Sequence, residues 1–117
     1  MTKATVLADA LVEAGILDYV GNHREMSRPG YTELGRFYWV KGDEAMEDEA
    51  LDHDGIITDW RVAGKVLESM DGEILIWLQK YSKMTDVWIV ETEQQDADAR
   101  NESLPRAIIE AWYEATR

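Results

Sequence analysis

Thr58-Asp59-Trp60-Arg61-Val62-Ala63-Gly64-Lys65-Val66-Leu67-Glu68-Ser69-Met70 decides the fold, because it reads as an amphipathic helix with its own start and stop. Trp60, Ala63, Leu67 and Met70 recur at the helical period, and Val62 and Val66 widen the stripe. Such a stripe is read here as core packing rather than as a ligand site. Thr58 or Asp59 supplies an oxygen for the free N–H groups of the first turn. Asp71-Gly72 follows at once, and glycine accepts the left-handed conformation that ends helices. Gly64 lies inside the helix at a cost of about 1 kcal/mol relative to alanine. It leaves room for another backbone to approach.

Downstream, residues 73–81 carry five apolar side chains in a row and read as a strand covered on both faces. Residues 86–92 read as its partner. The short link Ser82-Lys83-Met84-Thr85 makes the pair an antiparallel hairpin. Residues 93–102 read as a polar acidic loop. Ser103 then caps a last helix with Pro105 in its first turn, where a missing N–H does no harm. Leu104, Ala107, Ile108, Ala111, Trp112 and Ala115 form its apolar face, with Arg106, Glu110 and Glu114 opposite.

Upstream, residues 3–15 read as a first helix with Ala4, Leu7, Ala8, Leu11 and Val12 on one face and Gly15 as its stop. Ile16, Leu17, Tyr19 and Val20 prolong the apolar character up to Gly21. Pro29-Gly30 marks a turn in an irregular stretch. Residues 36–41 read as an aromatic strand, with Phe37 and Trp39 on one side and Tyr38 and Val40 on the other. These rings are read first as the packed centre of a small sheet. The predicted fold is α+β: a small antiparallel sheet of about three strands packed with three main helices, in the order α-β-α-β-β-α. Residues 1–117 are taken as a single domain with an acidic insertion-like segment at 42–55.

Charge is the outlying property. The 117 residues carry a formal net charge of −12, from 24 acidic and 12 basic side chains. A chain this acidic repels phosphate backbones, so no direct nucleic-acid partner is expected. No apolar run reaches 18 residues and no long apolar leader opens the sequence, so neither a membrane span nor export is expected. Cysteine is absent, which removes disulfides and thiol catalysis and fits a cytoplasmic location. The charge concentrates between Asp43 and Asp54, where Asp43, Glu44, Glu47, Asp48, Glu49, Asp52 and Asp54 stand with no lysine or arginine. Self-repulsion favours an exposed, partly mobile segment, with a short helix over 43–51 as one form. The acids either keep the chain soluble or imitate a polyanion that occupies a basic site on another protein.

Little catalytic chemistry can be built from these residues. Asp52-His53-Asp54 offers metal-ligand types, joined by Glu47 or Asp59, but matches neither a zinc spacing nor a calcium loop. His23 and His53 are the histidine bases, and neither forms a motif with Ser27, Ser69, Ser82 or Ser103. No glycine-rich phosphate loop is present. No catalytic residue, metal ligand or cofactor is therefore assigned. A small-ligand pocket is the alternative, with Tyr31, Tyr38 or Trp39 stacking and Arg24 or Arg28 supplying charge. An ordinary solvated loop accounts for the two arginines more simply.

Two stretches resemble the phage ABA sandwich domain family of small phage and prophage proteins. One is Thr58-Asp59 opening a helix that ends in Val66-Leu67-Glu68-Ser69-Met70. The other is Glu102-Ser103-Leu104-Pro105-Arg106-Ala107-Ile108. The hairpin between them, with Trp88 in its second strand, and Ala10-Leu11-Val12-Glu13-Ala14-Gly15 are similar in character. Residues 21–55 depart from the shorter versions. The resemblance implies a phage origin and a layered helix-and-sheet fold, and carries over no catalytic residues. The expected role is a non-enzymatic accessory protein that binds a host protein with a basic surface, as an inhibitor of host defence. Self-association through a sheet edge is a further reading.

Overall fold

The first helix, α1 (Lys3–Glu13), begins where the Thr2 side chain accepts a hydrogen bond from the Thr5 N–H at 3.2 Å. A computed structural model describes residues 2–22, 36–45, 50–93 and 98–116. Ala4, Leu7, Ala8 and Leu11 are the buried face of α1, the expected helical spacing. The helix ends at Ala14 with two closing bonds, Gly15 N–H to Val12 O at 3.1 Å and Ile16 N–H to Leu11 O at 3.0 Å. Gly15 has φ +79°, so the expected glycine stop is present as a left-handed cap.

The chain forms two compact units, Met1–Ile56 and Ile57–Arg117. In the first, β1 (Leu17–Asn22) pairs antiparallel with β2 (Arg36–Val40), in a register that sets Leu17 opposite Val40 and Asp18 opposite Trp39. A bulge interrupts β1 between Tyr19 and Gly21. β1 is the strand that the apolar run at 16–20 concealed. Tyr38 also exchanges both backbone hydrogen bonds with Leu51, at 2.8 and 2.9 Å. β2 is thus flanked on both edges at Tyr38. The short α2 (His53–Ile56) follows. Leu7, Leu11, Leu17, Tyr38, Val40 and Ile56 are fully or almost fully buried. Each such side chain contributes about 1.5–3 kcal/mol relative to exposure.

In the second unit, α3 (Trp60–Ser69) leads to β3 (Ile74–Gln79), β4 (Val87–Thr92), β5 (Asp98–Asn101) and α4 (Leu104–Thr116). The sheet is antiparallel throughout, in the order β3-β4-β5. Helix α4 packs on β4, on β5 and on α3. The mixed α+β class agrees with the prediction, as do the helix at 58–70, the hairpin and the last helix. Two small sheets stand in place of one, and β5 occupies part of the stretch read as a loop.

The buried face of α3 is Val62, Ala63 and Val66. Trp60, expected within the stripe, is 64 % exposed. A tryptophan in the first turn lies beside the cap, where neighbouring elements need not reach it. Asp59 is that cap: its Oδ1 accepts from the Arg61 N–H at 2.8 Å. The Arg61 guanidinium folds back on the same carboxylate at 3.0 and 2.9 Å. This paired hydrogen bonding holds the Asp59 carboxyl below its usual pKa, against the opposing effect of its burial. At the other end Met70 is already extended, so Gly72, with φ +88°, shapes the turn into β3 rather than ending the helix.

The run Ile74-Leu75-Ile76-Trp77-Leu78 was expected to be covered on both faces, and it is not. Leu75 is 49 % exposed, and Ile76 and Trp77 are 40 % exposed although they point to opposite faces. The strand buried on both faces is β4, where the adjacent Ile89 and Val90 have 2 % and 0 % exposure. β5 is what makes β4 central. With β5 read as a loop, the hairpin had no centre, and the longer apolar run took that place by default.

Candidate interaction site

The acidic segment grows directly out of β2. Gly42, at φ +81°, turns the chain after Val40, and the Asp43 N–H donates to Val40 O at 3.0 Å. The Asp43 carboxylate then accepts the Ala45 N–H at 3.1 Å, which holds a tight turn. Glu44 and Ala45 are exposed on that turn. Residues 46–49 lie outside the described residues, and with them Glu47, Asp48, Glu49 and the middle of the helix expected over 43–51.

The segment is fixed again at Leu51, through its two bonds to Tyr38. Asp52 caps α2: its carboxylate accepts the Gly55 N–H at 2.8 Å and its carbonyl accepts the Ile56 N–H. Gly55 fits closely there, because a Cβ at that position would stand 3.0 Å from the Asp52 carboxylate. His53 Nε2 lies 3.6 Å from the Asp54 carboxylate. Asp52 and Asp54 are both exposed, and Asp43 is half-buried. Glu44, Asp52 and Asp54 therefore present their charge outward, while Asp43 and Asp52 also serve the local backbone.

Among the described residues, no three histidine or acidic side chains come close enough to hold a metal ion. Asp59, weighed as a fourth ligand for such a site, is committed to the α3 cap and Arg61.

The alternative ligand set divides. Arg24, Arg28 and Tyr31 lie outside the described residues. Tyr38 is 1 % exposed, and its hydroxyl donates to Asp9 on α1 at 3.4 Å, so its ring belongs to the core of the first unit. Trp39 is half-buried on the other side of β2. The two rings thus point to opposite faces and do not form a common stacking surface. Elsewhere, a cavity of about 190 Å³ lies in the second unit against Ser69, Met70, Thr92, Trp112 and Ala115. Small-molecule sites usually measure roughly 300–1,000 Å³.

What the sequence reading missed is an exposed apolar group in the second unit: Leu75, Ile76 and Trp77 on β3, with Tyr81 and Met84 in the link that follows. The signal that could have found it is β5. Asp98-Ala99-Arg100-Asn101 alternates exposed and buried positions, but only Ala99 is apolar, too little for a strand pattern.

No protein family, curated protein or solved structure matches the chain. Among the described residues, no helix is long and apolar enough to cross a membrane.

Proposed function

We propose that this chain is a non-enzymatic accessory protein of phage or prophage origin. It works in the cytoplasm of a bacterial host by binding a host protein with a basic surface, as an inhibitor of host defence. The observation that carries this reading is the window from Asp43 to Asp54, with seven acids and no lysine or arginine. Its ends are anchored to β2 and α2, and Glu44, Asp52 and Asp54 face solvent. A window of like charges, with Glu44, Asp52 and Asp54 turned outward, is a surface that a basic partner can read. Complementary charge speeds the encounter and excludes partners of the wrong sign. The phage origin rests on the resemblance of the α3 and α4 stretches to the phage ABA sandwich domain family.

The test is affinity capture from a lysate of the bacterial host at low and at high salt. One partner retained at low salt and released at high salt is expected, because exposed charge pairs are screened by added ions. Asp43→Lys, Glu44→Lys, Glu47→Lys and Asp48→Lys together should abolish that capture, with the circular dichroism spectrum unchanged. Undiminished capture by this variant would overturn the reading.

A further inference from the structure

We propose that β3 is a self-association edge on which a second copy of this chain pairs, antiparallel, about a two-fold axis at Ile76. The proposal uses the second unit and does not rest on the acidic segment. β3 lies at the end of its sheet, with β4 on one side and no strand among the described residues on the other.

Its free backbone groups can be identified. The Glu93 N–H donates to Glu73 O at 3.0 Å, so position 73 directs its backbone toward β4. In an antiparallel ladder this direction alternates along the strand. Leu75, Trp77 and Gln79 therefore bond to β4, while Ile74, Ile76 and Leu78 turn their N–H and C=O groups to the open edge. Nothing in Ile74–Gln79 blunts that edge: it holds no proline, no charge and no bulge.

The strand is also its own complement. A two-fold axis at Ile76 sets Ile76 against Ile76, Ile74 against Leu78 and Leu75 against Trp77. Every position from 74 to 78 then meets an apolar partner. Moving the axis to Trp77 would set Ile74 against Lys80 and Leu75 against Gln79, and so loses that match. The three outward-facing residues also fall opposite one another, as the hydrogen-bonded pairs of the new ladder must. The ends agree in charge. Asp71 and Glu73 precede the strand and Lys80 and Lys83 follow it, so antiparallel pairing brings the acidic end of one copy to the basic end of the other. The same patch faces itself on both copies, as an isologous interface requires. Leu75, Ile76 and Trp77 then lose exposed apolar surface together.

Sedimentation velocity of the full chain, from about 1 µM to about 1 mM, tests the association itself. A concentration-dependent shift from one chain to two is expected, and Ile76→Lys should remove it by placing like charges opposite each other. A wild-type chain that stays monomeric throughout overturns the proposal. The register is tested separately by cross-linking, which is clean because the chain has no cysteine of its own. A hydrogen-bonded antiparallel pair sets its Cα atoms about 5.5 Å apart, within disulfide reach. Under mild oxidation, Ile76→Cys should give covalent dimer at least on the order of tenfold faster than Met84→Cys, an exposed position off the strand. Equal rates for the two variants would also overturn it.

Discussion

β3 and β4 are neighbours in one sheet, six residues each and paired along their whole length, yet their surroundings are opposite. β3 is the more apolar and the more exposed. β4 is apolar from Val87 to Val90 and polar only at its far end, in Glu91 and Thr92, and it holds the most buried residues of the sheet. Position in the sheet decides exposure, and the apolar run does not. An apolar run on a central strand is core. On an edge strand it is a surface that remains to be covered. The same contrast recurs within α3, where Val66 is buried and Trp60 is exposed.

The largest expected effect comes from truncating the two strands in turn. Ile89→Ala should cost about 2–5 kcal/mol, as a cavity in a packed interior does. Ile76→Ala, measured in dilute protein, should cost about 1 kcal/mol, from the part of its surface that the sheet already covers. Urea unfolding provides both values, and equal costs would break the contrast.

In α3 the comparison is between the cap and the aromatic ring beside it. Asp59→Ala should cost about 0.5–2 kcal/mol at neutral pH. The Asp59 carboxyl is held below the usual aspartate range by its hydrogen bonds to Arg61. A lowered folded-state pKa means that the carboxylate stabilises the fold above the ordinary range and loses that effect as pH falls through the lowered value. The gap between wild type and Asp59→Ala should therefore be constant near neutrality and close in acid. A gap that widens in acid would contradict the pairing with Arg61.

A smaller and opposite effect is expected at Gly64. It is exposed on α3, and an added Cβ would meet nothing within 4 Å. The close approach that a mid-helix glycine suggests does not occur there. Gly64→Ala should stabilise by about 0.4–1 kcal/mol, read as a higher urea midpoint. Trp60→Ala should change stability by no more than about 0.5 kcal/mol, as surface substitutions do. A larger loss there would restore Trp60 to the packed stripe.

The elements with strong helical periodicity were legible before the structure. α1, α3 and α4 carry apolar residues at three- and four-residue spacing, and their caps at Asp59 and Ser103 announce themselves by residue type. The hairpin was legible because two apolar runs flank a short polar link. β1 and β5 were not. β1 contains Gly21 and a bulge, which break the two-residue alternation, and β5 offers a single apolar side chain. These two omissions hid the pairing of β2 and the central place of β4. In the candidate site, the acidic window was plain from composition. Its anchoring was not, because Asp43 and Asp52 bind backbone N–H groups within their own turns, and a run of like charges gives no sign of that. Nor could residue type alone separate Tyr38, which sits in the core with its hydroxyl on Asp9, from a ring that receives a ligand.

Amide hydrogen exchange along residues 74–79, at low and at high protein concentration, tests the edge character of β3 most directly. In dilute protein the amides of Ile74, Ile76 and Leu78 should exchange fast, while those of Leu75, Trp77, Gln79 and the core of β4 exchange slowly. In concentrated protein the first three should become protected as the second copy pairs. Uniform protection across 74–79 in the most dilute sample would show that β3 is already covered within one chain, and would contradict the account.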